Sequence, residues 1–336
     1  MNESFARIAA TRPVPIQHLH QPELAINNQA PMRAAAHQEI IDRLTQSRAS
    51  IEAKYFYDSL GCRLFELITG LPEYYPTRVE QGIMQRYASQ IGQAVGKDGA
   101  LIYLGAGNSA KAQTLFPILQ PRQYLAIDLA TDFSAQALHT LRNKFPQIEM
   151  RAIGIDLSQG IVLPTTLNAE PRVFFYPGSS IGNFDRDEAL NLLTRIRKLC
   201  TKQGGLLIGA DLVKSQPVLE AAYSDSLGVT AAFNRNILNH VNHLIGSDFD
   251  LDLWEHHAFF NAEDSRIEMH LRANRECTVS WSEGERNFMQ GECIHTENSY
   301  KYTPDSFTQL LQEAGFSDIC MWSDPKQWFG VFYARI

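Results

Sequence analysis

Short apolar runs that alternate with amphipathic helical patterns organise the chain between residues 100 and 212. Runs of this length are typical of strands that are buried on both faces. A helical pattern follows each run, and this order predicts right-handed crossovers and a parallel sheet. The predicted strands cover residues 101–104, 124–128, 150–156, 172–177 and 206–212.

The first apolar run enters a turn that contains two glycines. In the sequence LIYLGAGNSAK, Gly105 and Gly107 follow the run, and Ser109 is placed to cap the next helix. A buried strand that enters a glycine turn at a helix N-terminus presents its backbone to nucleotide-like ligands in α/β folds. The pattern G-x-G-x-x-G is incomplete because Ala110 takes the place of the third glycine. The turn alone is therefore a weak signal.

Acidic residues and a glycine stand at the ends of the other runs. Asp128 lies about 20 residues past the glycine turn, where an acid can accept hydrogen bonds from ribose hydroxyls. The same residue could instead cap the helix predicted at 131–144. Asp156, Gly178 and Asp211 occupy the ends of three further runs. Because parallel strands bring these ends to one edge of the sheet, we expect ligand binding there.

The pattern changes after residue 212. Two predicted helices are followed by Arg266–Ala273, which alternates with Ile267, Met269 and Leu271 on one face, and this predicts an insertion with its own small sheet. A helix near 304–314 and two closely spaced strands, which can pair only as a hairpin, follow it. This outline predicts an α/β fold of the class I S-adenosylmethionine-dependent methyltransferase type: Rossmann-like, with a mostly parallel sheet and a C-terminal antiparallel hairpin.

Residues 54–80, KYFYDSLGCRLFELITGLPEYYPTRVE, are rich in aromatic side chains. They form either a small aromatic core beneath a loop or a lining of apolar rings with hydroxyl tips around a small polar ligand. Composition alone favours the aromatic core. Near the end of the segment, Thr77 and Glu80 match a capping box, which predicts that a helix begins there.

Composition and charge exclude several classes of protein. The chain of 336 residues is 44% hydrophobic, and its net charge of -7 argues against nucleic acid or an anionic membrane as a partner. No apolar run has the length of a membrane span, and the N-terminus lacks the apolar core of a secretory signal. Five scattered cysteines without CxxC spacing fit reduced thiols, so we expect a cytoplasmic protein.

No metal site is expected. His18 and His20 have no further ligand nearby in the sequence, and we interpret them as solvated. The pair His256–His257 is interpreted as part of a polar face, because no carboxylate or cysteine stands at a ligand spacing from it.

Longer segments point to a family. They are KYFYD, LITGLPEYYPTR, LGAGNSAK, GSSIGNF, ADLVK, GVTAAFNRN, DFDLD, RIEMHLRA and TENSYKY. From about Lys54 to its end, the chain resembles the L-histidine Nα-methyltransferases, which make trimethylated histidine (hercynine) in the first step of ergothioneine biosynthesis. The resemblance implies transfer of methyl groups from S-adenosylmethionine to the α-amine of L-histidine.

The resemblance also implies roles for individual residues. The cofactor S-adenosylmethionine would be held by Gly105, Gly107, Lys111, Asp128 and Asp156. The substrate would be bound by Asn183 and Tyr223 at its carboxylate, by Tyr57 and Gly178 at its α-amine, and by Tyr74, Glu297 and Ser299 at its imidazole, with Phe65, Thr230 and Met269 shaping the pocket. Glu297 and Ser299 lie two apart, so on a strand both point to one face and can pair with the two ring nitrogens.

A discontinuous architecture follows from the same resemblance. An irregular N-terminal arm would cover residues 1–30. A smaller α+β substrate-binding domain would consist of 31–78 and 213–300, and a methyltransferase domain of 79–212 and 301–336. We expect the protein to be a monomer. One departure from the family is Tyr103, which stands two residues before the first glycine, where the family usually has an acid. We expect altered contacts around the methionine part of the cofactor.

Three other functions are open. Gly178-Ser-Ser180-Ile-Gly182 matches the G-x-S-x-G pattern of serine hydrolases, but residues intervene before the next helix and no partners for Ser180 are evident. The methyl acceptor could be another aromatic amino acid or amine, such as a tryptophan-derived one. The departure at Tyr103 would also fit a binding module without catalysis.

Overall fold

The computed structural model describes residues 29–129 and 131–336. Most of the predicted N-terminal arm, with His18 and His20, lies outside the described residues. The α-helices of the described part are α1 (Gln29–Leu44), α2 (Ser59–Thr69), α3 (Tyr75–Arg86), α4 (Ala88–Val95), α5 (Ala110–Leu119), α6 (Thr131–Lys144), α7 (Arg186–Leu199), α8 (Gln216–Tyr223), α9 (Val229–Ile245) and α10 (Pro304–Glu313).

The strands of the same residues form three sheets. They are β1 (Ala100–Leu104), β2 (Gln123–Asp128), β3 (Glu149–Gly154), β4 (Arg172–Tyr176), β5 (Gly205–Asp211), β6 (Trp254–Asn261), β7 (Arg266–Ala273), β8 (Cys277–Trp281), β9 (Gly284–Phe288), β10 (Cys293–Tyr300), β11 (Ser317–Ser323) and β12 (Phe329–Arg335). Short 3-10 turns cover Ala53–Phe56, Ser180–Asn183 and Leu251–Leu253.

The largest sheet has seven strands in the order β11-β12-β5-β4-β1-β2-β3. Strands β1 to β5 run parallel, and their ligand-facing ends therefore meet at one edge. The terminal hairpin pairs antiparallel, and β12 pairs antiparallel with β5. The predicted class I methyltransferase fold, with its parallel sheet and C-terminal hairpin, is confirmed.

Three local expectations were wrong. No helix follows β3: residues 155–171, all of them described, lead to β4 without one. The capping box at Thr77 is absent, because α3 begins at Tyr75 and carries Pro76 in its first turn, where a missing N–H costs nothing. Ser109 has a left-handed backbone and does not cap α5; its hydroxyl instead accepts a hydrogen bond from Tyr124 at 2.9 Å.

The chain between β5 and β11 contains the predicted insertion. Its three-stranded antiparallel sheet has the order β10-β7-β6, and β8 and β9 form a separate hairpin. The predicted apolar face of β7 is buried, since Ile267, Met269 and Leu271 are at most 1% exposed. This face belongs to the same hydrophobic cluster as α9 and the apolar residues of the segment from Ile40 to Tyr75.

The two chain segments that connect the large sheet with the insertion lie side by side. The N–H of Tyr302 donates to the carbonyl of Asp211 at 3.0 Å, and the N–H of Val213 donates to the carbonyl of Tyr302 at 2.9 Å. The insertion therefore leaves and rejoins the fold at one point, next to the end of β5. Among the described helices, none combines the length and the apolar character needed to cross a membrane.

Candidate active site

The glycine turn after β1 is closed by the acid at the end of β2. The N–H of Gly107 donates to Oδ2 of Asp128 at 2.7 Å, so the acid that the sequence placed at this edge holds the turn. Gly105 and Gly107 have φ of 70° and 50°, and an added Cβ at either position would meet nothing within 4 Å. Backbone conformation requires the glycines, and the space beside the turn fits the close approach of a nucleotide-like ligand.

Asp156 lies two residues past the end of β3 and is already paired. It accepts hydrogen bonds from Ser158 at 2.6 Å and 2.9 Å, and Nζ of Lys54 lies 3.2 Å from its Oδ2. Lys54 also contacts Glu39 at 2.8 Å. Burial alone would raise the pKa of Asp156, but Ser158 and Lys54 together lower it. The contact attaches the 53–56 turn to the strand edge.

A buried carboxylate that the sequence did not single out as a site residue lies between the glycine turn and β4. Glu80 of α3 is 3% exposed. Its Oε2 lies 2.5 Å from Nζ of Lys111, and its Oε1 accepts the N–H of Gly178 at 2.8 Å. Two predicted site residues, one assigned to the cofactor and one to the substrate amine, thus share a single acidic partner.

The aromatic residues of 54–80 form a row with Tyr223. Ring centroids are 5.9 Å apart for Tyr57 and Phe65, 6.2 Å for Phe65 and Tyr74, and 6.3 Å for Tyr74 and Tyr223. Burial raises the pKa of all three tyrosines well above the usual value, and the nearby Glu297 carboxylate adds to each. The three tyrosines therefore lie near one acid. Tyr74 and Tyr223 also belong to a hydrophobic core cluster, against which Tyr57 and Phe65 pack, and the lining interpretation stays a prediction.

Glu297, the acid near these tyrosines, lies on β10. It pairs in register with Met269 of β7, next to a bulge between His295 and Glu297. Burial raises the pKa of Glu297 to about 7, although Lys301 and a hydrogen bond from the Asn183 side chain oppose the shift. At neutral pH the carboxyl is thus poised between its charged and neutral forms.

Ser299 faces the same side of β10 as Glu297 and is held by two neighbours. Nζ of Lys301 donates to its Oγ at 2.7 Å, and the Tyr223 hydroxyl lies 2.7 Å from the same atom. Since the lysine supplies one hydrogen bond, the Ser299 hydroxyl proton can be directed either to Tyr223 or into the pocket.

Lys301 belongs to a buried network that sequence analysis missed. Its Nζ lies 2.9 Å from Oδ2 of Asp211, and Nζ of Lys214 lies 2.7 Å from Oδ1. The Tyr75 hydroxyl donates to the same carboxylate at 2.7 Å, and the Asp211 N–H donates to Oγ of Ser179 at 2.8 Å. All of these lysines lie in segments quoted for the resemblance, ADLVK and TENSYKY, but the sequence gives no sign that they share one acid.

Two residues make none of these contacts: Thr230, a predicted site residue, and Ser180, the nucleophile of the serine hydrolase alternative. Thr230 is buried in the first turn of α9, where its N–H donates to Asp225 at 2.7 Å. The Ser180 hydroxyl donates to the carbonyl of Pro177 at 3.4 Å, and among the described residues no histidine hydrogen-bonds to it. The serine hydrolase alternative therefore has no catalytic base in the part of the chain that is described.

A cluster of potential metal ligands lies on the other face of the three-stranded sheet. Glu268, His270 and His295 bring ligand atoms within 4.8 Å of one another. Arg266 donates to Glu268 at 2.7 Å, and His270 lies 2.9 Å from it, which with Asn261 lowers the pKa of Glu268 to about 2 despite its burial. An ion-pair network accounts for the cluster, and the expectation of no metal stays a prediction.

Comparison with known proteins identifies the family. The model of a family described as histidine-specific, SAM-dependent methyltransferases matches residues 36–336. The chain is 37% identical over 297 residues to the histidine N-alpha-methyltransferase of Mycolicibacterium smegmatis, which covers 87% of this chain and 92% of that protein. It is 34% identical to the protein of the same name from Mycobacterium tuberculosis, with 89% and 94% covered.

Among solved structures, an S-adenosylmethionine-dependent methyltransferase from Clostridium acetobutylicum is similar with a TM-score of 0.46 and 12% identity, over 82% of this chain and 97% of that one. The family model spans both the seven-stranded sheet and the insertion. The chain belongs to the S-adenosylmethionine-dependent, histidine-specific methyltransferases.

Proposed function

We propose that this enzyme transfers three methyl groups in succession to the α-amino group of L-histidine and so forms hercynine, the first intermediate on the way to ergothioneine. The observation that carries the proposal is the position of Glu297 and Ser299 on one face of β10, near Tyr57, Tyr74 and Tyr223. An acid at that point suits a ligand whose ring carries an N–H.

Imidazole is recognised at both of its nitrogens. Glu297 accepts one ring N–H, and the Ser299 hydroxyl donates to the other nitrogen because Lys301 already occupies one of its acceptor positions. A ligand without these nitrogens offers Glu297 no N–H and leaves it with the Asn183 side chain alone, which lowers the affinity for such ligands. The same residues therefore bind histidine and reject other aromatic amines.

The amino-acid end of the substrate is assigned to four further residues, two of which adjoin the imidazole site: Asn183 hydrogen-bonds to Glu297, and the Tyr223 hydroxyl lies 2.7 Å from Oγ of Ser299. The Asn183 amide and the Tyr223 hydroxyl bind the carboxylate, while Tyr57 and the carbonyl of Gly178 receive the α-amine. Because burial keeps Tyr57 protonated, its phenol acts as a neutral hydrogen-bond partner. An α-amino group has a pKa of about 8, so a neutral partner lowers the cost of presenting it uncharged.

S-adenosylmethionine supplies the methyl group from its sulfonium. Gly105, Gly107, Lys111, Asp128 and Asp156 are the residues we assign to it. Their task is to hold the donor at the strand edge in line with the amine, and such alignment can contribute on the order of 7–11 kcal/mol. The rings of Tyr57 and Phe65 accommodate the product, since methylated ammonium groups pack favourably on aromatic faces.

The proposal also includes the domain organisation, the cellular compartment and the oligomeric state. One hydrophobic cluster joins residues of 40–75 with those of 219–294, which supports a discontinuous substrate-binding domain made of 31–78 and 213–300. The five cysteines are all unpaired, which supports a reducing, cytoplasmic compartment. We further propose that the enzyme acts as a monomer on a small-molecule substrate.

Replacement of Glu297 by alanine tests the proposal. Histidine affinity, measured by calorimetry, should fall by about 2–3 kcal/mol, roughly 30- to 150-fold, while the affinity for S-adenosylhomocysteine stays within about twofold. Glu255→Ala, an exposed glutamate of β6 in the same sheet, is the matched control. Mass spectrometry of wild-type reactions should show histidine gaining three methyl groups. Unchanged histidine affinity in the variant, or preferred methylation of tryptophan, would contradict the assignment.

A further inference from the structure

His256 and His257 are neighbours on β6, but a strand directs adjacent side chains to opposite faces. His257 lies beside Phe259, with ring centroids 5.3 Å apart. His256 is half-buried, and both of its ring nitrogens are hydrogen-bonded, Nδ1 to the Asn234 amide at 2.9 Å and Nε2 to the carbonyl of Tyr223 at 2.8 Å. The interpretation of the pair as a polar face therefore leaves the contacts of His256 unexplained.

Asn234 determines which nitrogen of His256 carries the proton. The Asn234 amide nitrogen donates to the carbonyl of His270 at 3.0 Å, and a carbonyl can only accept. The second hydrogen of this nitrogen then points to Nδ1 of His256, which must accept it. Nε2 therefore carries the ring proton and donates it to the carbonyl of Tyr223. Burial lowers the pKa of His256, which favours this neutral form at neutral pH.

The Asn234 side chain is itself fixed by the three-stranded sheet. It belongs to α9 and is fully buried. Its amide oxygen accepts the hydroxyl of Thr296 on β10 at 2.7 Å, so together with His256 on β6 and the His270 carbonyl on β7 it contacts all three strands. A buried polar network with every member satisfied is rigid. The ring of His256 therefore has one defined orientation.

The carbonyl that His256 contacts is the last one of α8. Ser224, the next residue, leaves the helical conformation with φ of -143° and ψ of 66°. The last carbonyls of a helix have no partner inside the helix, and a histidine N–H can supply one. The N–H of Phe260 also donates to Glu220 at 3.0 Å, so α8 is attached to β6 at two points.

The other end of Tyr223 lies among the residues assigned to the substrate. Its hydroxyl is 2.7 Å from Oγ of Ser299 and accepts a hydrogen bond from Nζ of Lys301 at 3.2 Å. A phenol ring is rigid and has only two side-chain torsions, so the place of its hydroxyl follows the backbone. A contact that fixes the backbone of Tyr223 therefore also fixes its hydroxyl.

We propose that His256 is a positioning residue for methyl transfer: held by Asn234, it fixes the backbone of Tyr223 so that the Tyr223 hydroxyl meets the carboxylate of the substrate. The inference rests on the proposed function, in which Tyr223 binds that carboxylate. His256 does not touch the substrate in this role and acts only through Tyr223. Loss of its side chain should therefore weaken histidine binding and leave the cofactor site unchanged.

A double-mutant cycle separates this role from a general structural one. By calorimetry, His256→Leu should bind L-histidine roughly 5- to 20-fold more weakly than the wild type, and S-adenosylhomocysteine within about twofold. Tyr223→Phe, which lacks the hydroxyl, should bind L-histidine roughly 10- to 100-fold more weakly. Added to Tyr223→Phe, His256→Leu should cost less than about twofold more, because the group that His256 positions is already gone.

Two further variants complete the test. His256→Gln, whose amide can donate to Tyr223 and accept from Asn234, should recover most of the histidine affinity. His257→Leu, on the other face of β6, is the matched control and should bind both ligands as the wild type does.

The inference is overturned by equal losses from His256→Leu with and without the Tyr223 hydroxyl, by full histidine affinity in His256→Leu, or by an equal loss of S-adenosylhomocysteine affinity. Unchanged histidine affinity in Tyr223→Phe would instead contradict the part of the proposed function that assigns Tyr223 to the carboxylate, and the inference would fall with it.

Discussion

Asp211 at the edge of the seven-stranded sheet is fully buried and Glu297 on the three-stranded sheet is half-buried, and their pKa values shift in opposite directions. Asp211 contacts two lysines at 2.7 Å and 2.9 Å, and these hold its pKa below the usual value although burial raises it. Within residues 29–129 and 131–336, no cation forms an ion pair with Glu297; Lys301 acts on it from farther away, and burial raises its pKa to about 7.

The difference separates acids that contact a lysine from an acid whose hydrogen-bond partner is the neutral Asn183 side chain. Glu80, Asp156 and Asp211 each contact a lysine within 3.2 Å. These acids order the sheet edge without any ligand. Glu297 gains a full partner only when a ligand donates to it, and this suits a residue that selects the substrate.

The largest effect is expected from the lysine that both regions share. Lys301→Met removes one of the two cations from Asp211 and the nearest cation from Glu297, so the pKa of Glu297 should rise further. The substitution leaves the buried Asp211 carboxylate with one cation instead of two. We therefore expect the free energy of unfolding to fall by about 3–5 kcal/mol. Denaturant unfolding measures the loss.

Lys202→Met, at an exposed position in the turn before β5, is the matched control for this variant. It should change the free energy of unfolding by about 0.5 kcal/mol or less. Similar losses in Lys301→Met and Lys202→Met would show that Lys301 does not compensate the two acids.

A smaller effect should come from the raised pKa of Glu297. Its folded-state pKa of about 7 exceeds the ordinary value of 4.5, so the folded protein binds the proton more tightly than the unfolded chain. This contribution to stability is complete below pH 4.5 and is lost as the pH rises through 7. Glu297→Gln does not titrate, and it should gain stability relative to wild type by about 1–3 kcal/mol between pH 4.5 and pH 8.

Unfolding of the wild type and the Glu297→Gln variant at several pH values checks this prediction, since all other titrations cancel in the difference. Glu255→Gln serves as the exposed control and should show no such trend. A constant difference between wild type and Glu297→Gln across this range would mean that Glu297 is as well compensated as Asp211.

The smallest effect is expected at Asp156, where the ion pair is partly exposed. Lys54→Met removes a cation whose side chain is 21% exposed and which contacts both Glu39 and Asp156. We expect a loss of about 1 kcal/mol that decreases at high salt, together with a higher pKa of Asp156. Melting curves at two salt concentrations measure it, with the exposed Lys97→Met as control. A salt-independent loss would point to packing of the lysine stem instead.

The parts of the fold that depend on local pattern were predictable. Buried strands appear in the sequence as apolar runs, so β1, β2, β4 and β5 were located to within a residue or two, whereas the bond between Asp128 and Gly107 was not predicted. The alternation of β7 likewise placed Met269 on the buried face. In each case the signal and the structure lie within one short segment.

The residues that the sequence missed are defined by partners far away in the chain. Glu80 looked like a cap because it stands three residues after Thr77, but its orientation is set by Lys111, 31 positions later. Lys301 and Asp211 are 90 positions apart, and only the fold brings them together. Glu297 was singled out through the family resemblance; its alternation on a strand would equally suit a solvated residue.

The insertion begins and ends at adjacent points beside the large sheet, so its length can change. Residues 213–301 could be replaced by a segment of different length without moving the large sheet, because the two ends already meet beside β5 and the entropy of closing a loop grows only slowly with its length. A change of methyl acceptor would also have to keep the packing between the insertion and the segment from Ile40 to Tyr75, because both belong to one hydrophobic cluster. Any such replacement would still have to deliver a cation to Asp211, as Lys301 does here.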